Sequence, residues 1–314
     1  MTRAVTLLLV LAGCGGAQAP HAAAGAQDVA FAATLVLGTP AFDFVKPARV
    51  VSLPKSLREI SGMVALDDER IACVQDEKGN LYEVRLKDGE LLAKRALLPD
   101  GDYEGLTRAA DAWFFARSDG ALLRVREVAD RAPVVDTFVL DLPQKDLEAL
   151  ALDPAVDGRA ARLLVAGKEP PEGSKEERDQ RFVFAFDLER NRLVETPAWE
   201  LSRKAIRARV AELQQAARPA DSAADGKPVQ RPKLALHVSE LAVQPGTGHL
   251  WILSGPDRAL LAVDRDGALL TSVVFDEAAL PQPEALAFLP CGDLVVASEG
   301  KDGPAVLVRF APRR

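Results

Sequence analysis

Residues 101–108 read GDYEGLTR, and the chain rewrites this stretch four more times: EISGMVALDD from Glu59, DLEALALDP from Asp146, VSELAVQP from Val238 and PEALAFLP from Pro283. Each time a polar residue stands two places before a leucine or methionine that opens a short apolar run. Aligned on that residue, the fragments become Ser61-Gly-Met63, Glu104-Gly-Leu106, Glu148-Ala-Leu150, Ser239-Glu-Leu241 and Glu284-Ala-Leu286. Their first positions fall 43, 44, 91 and 45 residues apart, and three of them continue alike as LALDP, LAVQP and LAFLP.

A period near 44 residues that holds about four short strands predicts an all-β chain folded as a β-propeller. The first unit supplies SGMVAL, RIACVQ, LYEVRL and LLAKRALL, parted by DDE, DEKGN and KDGE. Comparable sets follow in the next three units, with turn signals such as Lys87-Asp-Gly89 and Asp264-Arg-Asp-Gly267 at the breaks. The fifth unit runs out after EALAFL, DLVVASE and PAVLVRF. Its missing outer strand is available at the other end as ARVVSLP, residues 48–54, so that the N-terminal strand closes a five-bladed ring. Five blades then use up the strands. A six-bladed ring is the alternative, because the 91-residue interval could hide a degenerate unit.

That interval carries an insertion at 198–236. Its stretch 202–217 places Ile206, Val210 and Leu213 on one helical face and predicts an inserted helix, followed by a polar loop. A second insertion, EPPEGSKEERDQ, separates two strands of unit three. Strand polarity puts both insertions on the face where the inner strands begin. Residues 30–314 therefore read as one propeller domain.

The chain has 314 residues, 48% hydrophobic and 27% charged, with a formal net charge of −7. This composition suits a folded domain with a sizeable core and excludes a basic, nucleic-acid-binding surface. Residues 1–13 combine Arg3 with a short apolar run and end Leu11-Ala12-Gly13 before Cys14. They read as a signal segment too short to span a bilayer. The Leu-Ala-Gly-Cys ending resembles a bacterial lipobox, which implies a lipidated Cys14, a flexible tether over 14–29, and a membrane as partner. Gly15 in place of aspartate leans toward the outer membrane, with the domain facing the periplasm. Cys73 and Cys291 read as unpaired.

The motif position predicts a ring of Ser61, Glu104, Glu148, Ser239 and Glu284 around the axis. Beside it fall Glu59, Asp102, Asp146, His237 and Gln282, and the ends of second strands add Asp76, Glu77, Asp119, Lys168, Glu169 and Glu299. Two carboxylates ~6 Å apart repel by roughly 3 kcal/mol at an effective dielectric near 20. Asp102, Glu104, Asp146 and Glu148, on adjacent blades, therefore need protons, the Lys168 ammonium or a metal ion. Oxygen-rich clusters of this kind suit Ca²⁺. The glutamates could equally accept backbone N–H bonds from the next blade and lock the ring. His237 and Ser239 lie two residues apart, yet no nucleophile elbow, paired-histidine motif or phosphate loop accompanies them.

EISGM, QDEKGNLYEV, DYEGLTR, VSELAVQPGTGHLWILSGPDRALLAVDRDG and PEALAF together resemble the SdiA-regulated, calcium-regulated β-propeller family of bacterial envelope proteins. The likeness covers roughly residues 48–311 and departs from the pattern at the insertion and at Glu240. It implies an envelope propeller linked to calcium, distantly similar to esterase-like phytase propellers. The expected function is capture of a small molecule or an envelope protein at an acidic axial mouth, with or without calcium. The alternatives are a metal-assisted phosphoesterase or esterase, and a structural or assembly scaffold.

Overall fold

The computed structural model describes residues 33–156, 158–217 and 234–313. The expected signal segment and tether, with Cys14, and the expected polar loop of the insertion lie outside them.

Among the described residues, twenty-two strands form five antiparallel sheets, each a propeller blade. Blade one is Ile60–Ala65, Arg70–Gln75, Lys78–Arg85 and Leu91–Ala96. Blade two is Tyr103–Ala109, Ala112–Arg117, Ala121–Arg126 and Val134–Val139. The inner strands of blades three, four and five are Leu147–Asp153, Glu240–Val243 and Pro283–Phe288. The ring is five-bladed and closes as expected: Arg49–Ser52 pairs with Val306–Phe310, setting Val51 opposite Leu307.

Two details differ from the sequence reading. Ala33–Gly38 pairs with Leu269–Phe275 and gives blade four a fifth, outermost strand, so the N-terminal region supplies two edges rather than one. In blade three the outer strand is broken. Arg192–Leu193 pairs with one end of Gln180–Asp187, and Trp199–Ser202 pairs with the other. Pro197 lies in the gap and has no N–H to donate to a ladder. The strand thus runs past residue 198, and the insertion proper begins at the helix Arg203–Ala216. Ser202 caps that helix by accepting the Ala205 N–H at 3.1 Å. Ile206 and Val210 bury its inner face against Leu35, Leu234 and Leu236.

Apolar side chains fill all five seams between blades. The seam between blades four and five is aromatic, with Phe42, Phe44, Trp251, Phe275, Phe288 and Phe310 in mutual contact. Phe42 and Phe44 belong to the link between the two N-terminal strands, so this seam also anchors the closure. Cys73 is buried and Cys291 exposed, both as free thiols.

Candidate functional site at the acidic mouth

The repeated polar residue has a specific backbone role. In blade one Ile60 faces Gln75 and Gly62 faces Val74, leaving Ser61 as an extra residue in the ladder. The same bulge falls on Glu104, Glu148 and Glu284 in blades two, three and five. A bulge re-aims its side chain and bends the strand. Here it sits where these four inner strands start. The next position must stay small: a Cβ on Gly62 would lie 2.6 Å from the Leu106 nitrogen, and one on Gly105 would lie 2.4 Å from the Glu148 carbonyl oxygen. Gly62, Gly105, Ala149 and Ala285 follow from that close approach of neighbouring inner strands.

Blade four departs from this pattern. Glu240 occupies the small position, is 1% exposed, and accepts the backbone N–H groups of Leu150 and Leu241 on Oε1 at 3.0 and 2.9 Å. Burial holds its carboxyl well above the ordinary range. Interblade pinning by a carboxylate, expected of the motif glutamates, is performed by this residue. The sequence carried the signal as a pattern violation, without revealing its role.

The motif serines bond to backbone groups, and the motif glutamates to side chains. Ser61 Oγ donates to the Tyr103 carbonyl at 2.6 Å and ties blade one to blade two. Ser239 Oγ accepts the Gly255 N–H at 3.2 Å and also bonds to Glu284, which takes a further bond from Gln282. Glu104 shares a hydrogen bond with Asp102, whose carboxylate also accepts from the Ser118 hydroxyl. Glu148, 4% exposed, meets the Lys168 ammonium at 2.5 Å.

Lys168 is the counter-charge of the mouth, held protonated by Glu148, Glu284 and Glu104. Around it the carboxyls are pushed upward. Burial, aided by Asp102, raises Glu104 to about 8. Burial raises Glu148 to about 9 against the pull of Lys168. Glu299 rises to about 7 through burial and the charge of Glu284, and Asp76 to about 6 through burial and Glu59. Asp146 and Glu284 are also raised by burial. Groups this strongly coupled titrate as one cluster.

Other expected site residues stand apart. Asp119 is tied to Arg117. His237 Nδ1 lies 3.6 Å from Glu169, while the Ser239 hydroxyl is engaged elsewhere, so the two do not form a base–nucleophile pair. Among the described residues no three acidic, histidine or cysteine side chains are grouped closely enough to hold one metal ion. Asp102, Glu104, Asp146 and Glu148 share the mouth but face Ser118, one another and Lys168.

No protein-family model and no curated protein matches the sequence. Solved propellers do. A glutaminyl cyclase of Myxococcus xanthus is 15% identical at a TM-score of 0.52, over 86% of this chain and 97% of that one. The PQQ-bound aldose sugar dehydrogenase of Streptomyces coelicolor is 10% identical at 0.49, over 85% and 98%. A luciferin-regenerating enzyme is 10% identical at 0.45, over 85% and 95%. By fold the chain is a five-bladed β-propeller.

Proposed function

We propose that this is a binding propeller whose acidic axial mouth captures a positively charged ligand, with carboxyls that are neutral in the free protein ionising as it binds. The observation that supports this reading is one ammonium, Lys168, set among Glu104, Glu148, Glu284, Asp146 and Glu299, whose carboxyls burial pushes above their usual range. A recessed site of one charge sign concentrates counter-ions. Glu148 bonds to the Lys168 ammonium, Glu284 to Ser239 and Gln282, and Glu104 to Asp102, with no point on which three acidic side chains converge among the described residues. That arrangement suits an ammonium or guanidinium group better than Ca²⁺, which requires six to eight oxygens around one point. The family resemblance and the four carboxyls of blades two and three keep Ca²⁺ as the second cation to test. Thermal melting with a polyamine such as spermidine, with CaCl₂ and with sodium chloride at matched ionic strength tests the proposal. A specific rise with one cation supports it, and equal curves reject it.

A second reading rests on Glu104 and Asp102. A carboxylic acid near 8 hydrogen-bonded to a carboxylate is equipped for general acid–base chemistry. On that reading the protein is a hydrolase of esters or phosphoesters, and Glu104→Gln abolishes the turnover. The Leu11-Ala12-Gly13-Cys14 stretch supports a lipid anchor in the bacterial envelope under either reading.

A further inference from the structure

The other end of the axis has the opposite chemistry. Beneath the acidic ring, Met63, Leu106, Leu150, Leu241 and Leu286 form a buried apolar layer. Below that layer opens a cavity of about 270 Å³ lined by these residues and by Ala65, Leu152, Val243 and Phe288, with Pro154, Pro245 and Pro290 on its rim. The repeat builds this cavity as directly as it builds the mouth. The residue four places after each motif residue is Ala65, Leu152, Val243 or Phe288 in four blades, all apolar and half-buried. In blade two the same position is Arg108, which follows the lining residue Thr107 but is not itself part of the cavity wall; it is exposed, with its guanidinium stacked 5.1 Å from the Trp113 ring and no ion pair among the described residues.

We infer that this apolar cavity is a second ligand site, distinct from the acidic mouth, that takes the hydrocarbon part of a small amphipathic acid while Arg108 receives its anionic head. The volume is nearly twice the ~150 Å³ that accommodates benzene in a dry protein cavity, so a medium-length alkyl chain or a fused bicycle fits. The carbon walls offer such a group burial rather than hydrogen bonds, apart from Thr107. Stacking on Trp113 holds the guanidinium in place while leaving its N–H edge open to a carboxylate or sulfonate.

Anilinonaphthalene sulfonate, followed by fluorescence, and decanoate or decanol as competitors test the site on the folded protein. The probe should bind and be displaced by both competitors. Ala65→Phe, which fills the cavity from the half-buried end of an inner strand, should weaken probe binding by about tenfold or more. Arg108→Gln should weaken decanoate by roughly fivefold to tenfold and leave decanol unchanged, as loss of one charge-assisted bond predicts. Unaltered melting of both variants would show that the fold is intact. Absence of binding to the wild type, or binding indifferent to Ala65→Phe, would overturn the site. An equal loss of decanoate and decanol in Arg108→Gln would overturn the role of Arg108.

Discussion

The Lys168 ammonium and Glu148 Oε1 stand 2.5 Å apart at the start of blade three, one at the end of the second strand and the other on the bulge of the first. The pair is partly buried, so it lies between the exposed ion pairs that contribute little and the buried ones whose breakage is costly. Lys168→Met should destabilise the ring by about 2 kcal/mol at pH 8, between those two cases. The loss should shrink at pH 5, where the cluster is protonated. Urea unfolding at the two pH values measures the difference.

The pH profile of stability follows from the same cluster. Carboxyls raised in the folded protein bind more protons there than in the unfolded chain. Stability therefore falls as pH rises, from about 4.5, where the unfolded carboxyls ionise, through 6–9, where Asp76, Glu299, Glu104 and Glu148 ionise in the fold. Glu104→Gln should remove part of that slope and raise the melting temperature at pH 8 by about 2 °C or more. A melting curve that rises between pH 5 and 8 would contradict it.

Ring closure separates two truncations. Removing residues up to 40 takes away only the outermost strand of blade four and should lower the melting temperature while leaving one cooperative transition. Removing residues up to 54 also deletes Phe42, Phe44 and the closing strand with buried Val50, Val51 and Leu53. That form should lose the cooperative transition or melt about 10 °C lower, since several core side chains go at once.

The fold was legible because a period near 44 residues survives in residues that the geometry constrains: the bulge residue, the small residue that admits the neighbouring strand, and the leucine below it. Two features escaped. Ala33–Gly38 is a single strand outside the repeat, and the break near Pro197 depends on a partner strand that local pattern does not show. At the site, the sequence placed the acidic ring and Lys168 together. It could not separate the pinned Ser61 and Ser239 from the titrating glutamates, because their partners, the Tyr103 carbonyl and the Gly255 amide, are backbone groups. Glu240 was visible as an exception, and its role became clear only once Leu150 was seen beside it.

The lipid anchor proposed from Leu11-Ala12-Gly13-Cys14 makes a prediction about location. Cys14→Ser should move the protein from the membrane fraction to the soluble fraction. Equal retention of the variant in membranes would refute lipidation at this cysteine.

The central claim is that a cation enters the mouth and displaces protons. Titration calorimetry with spermidine, and in parallel with Ca²⁺, at pH 7.5 in two buffers of different ionisation enthalpy reads this directly. The account predicts binding with net release of about one proton, because groups near 7–9 ionise beside the incoming charge, and a smaller release in Glu104→Gln. Binding with no proton release, or no binding of either cation, would contradict it and leave the carboxyls as structural partners of Lys168 alone.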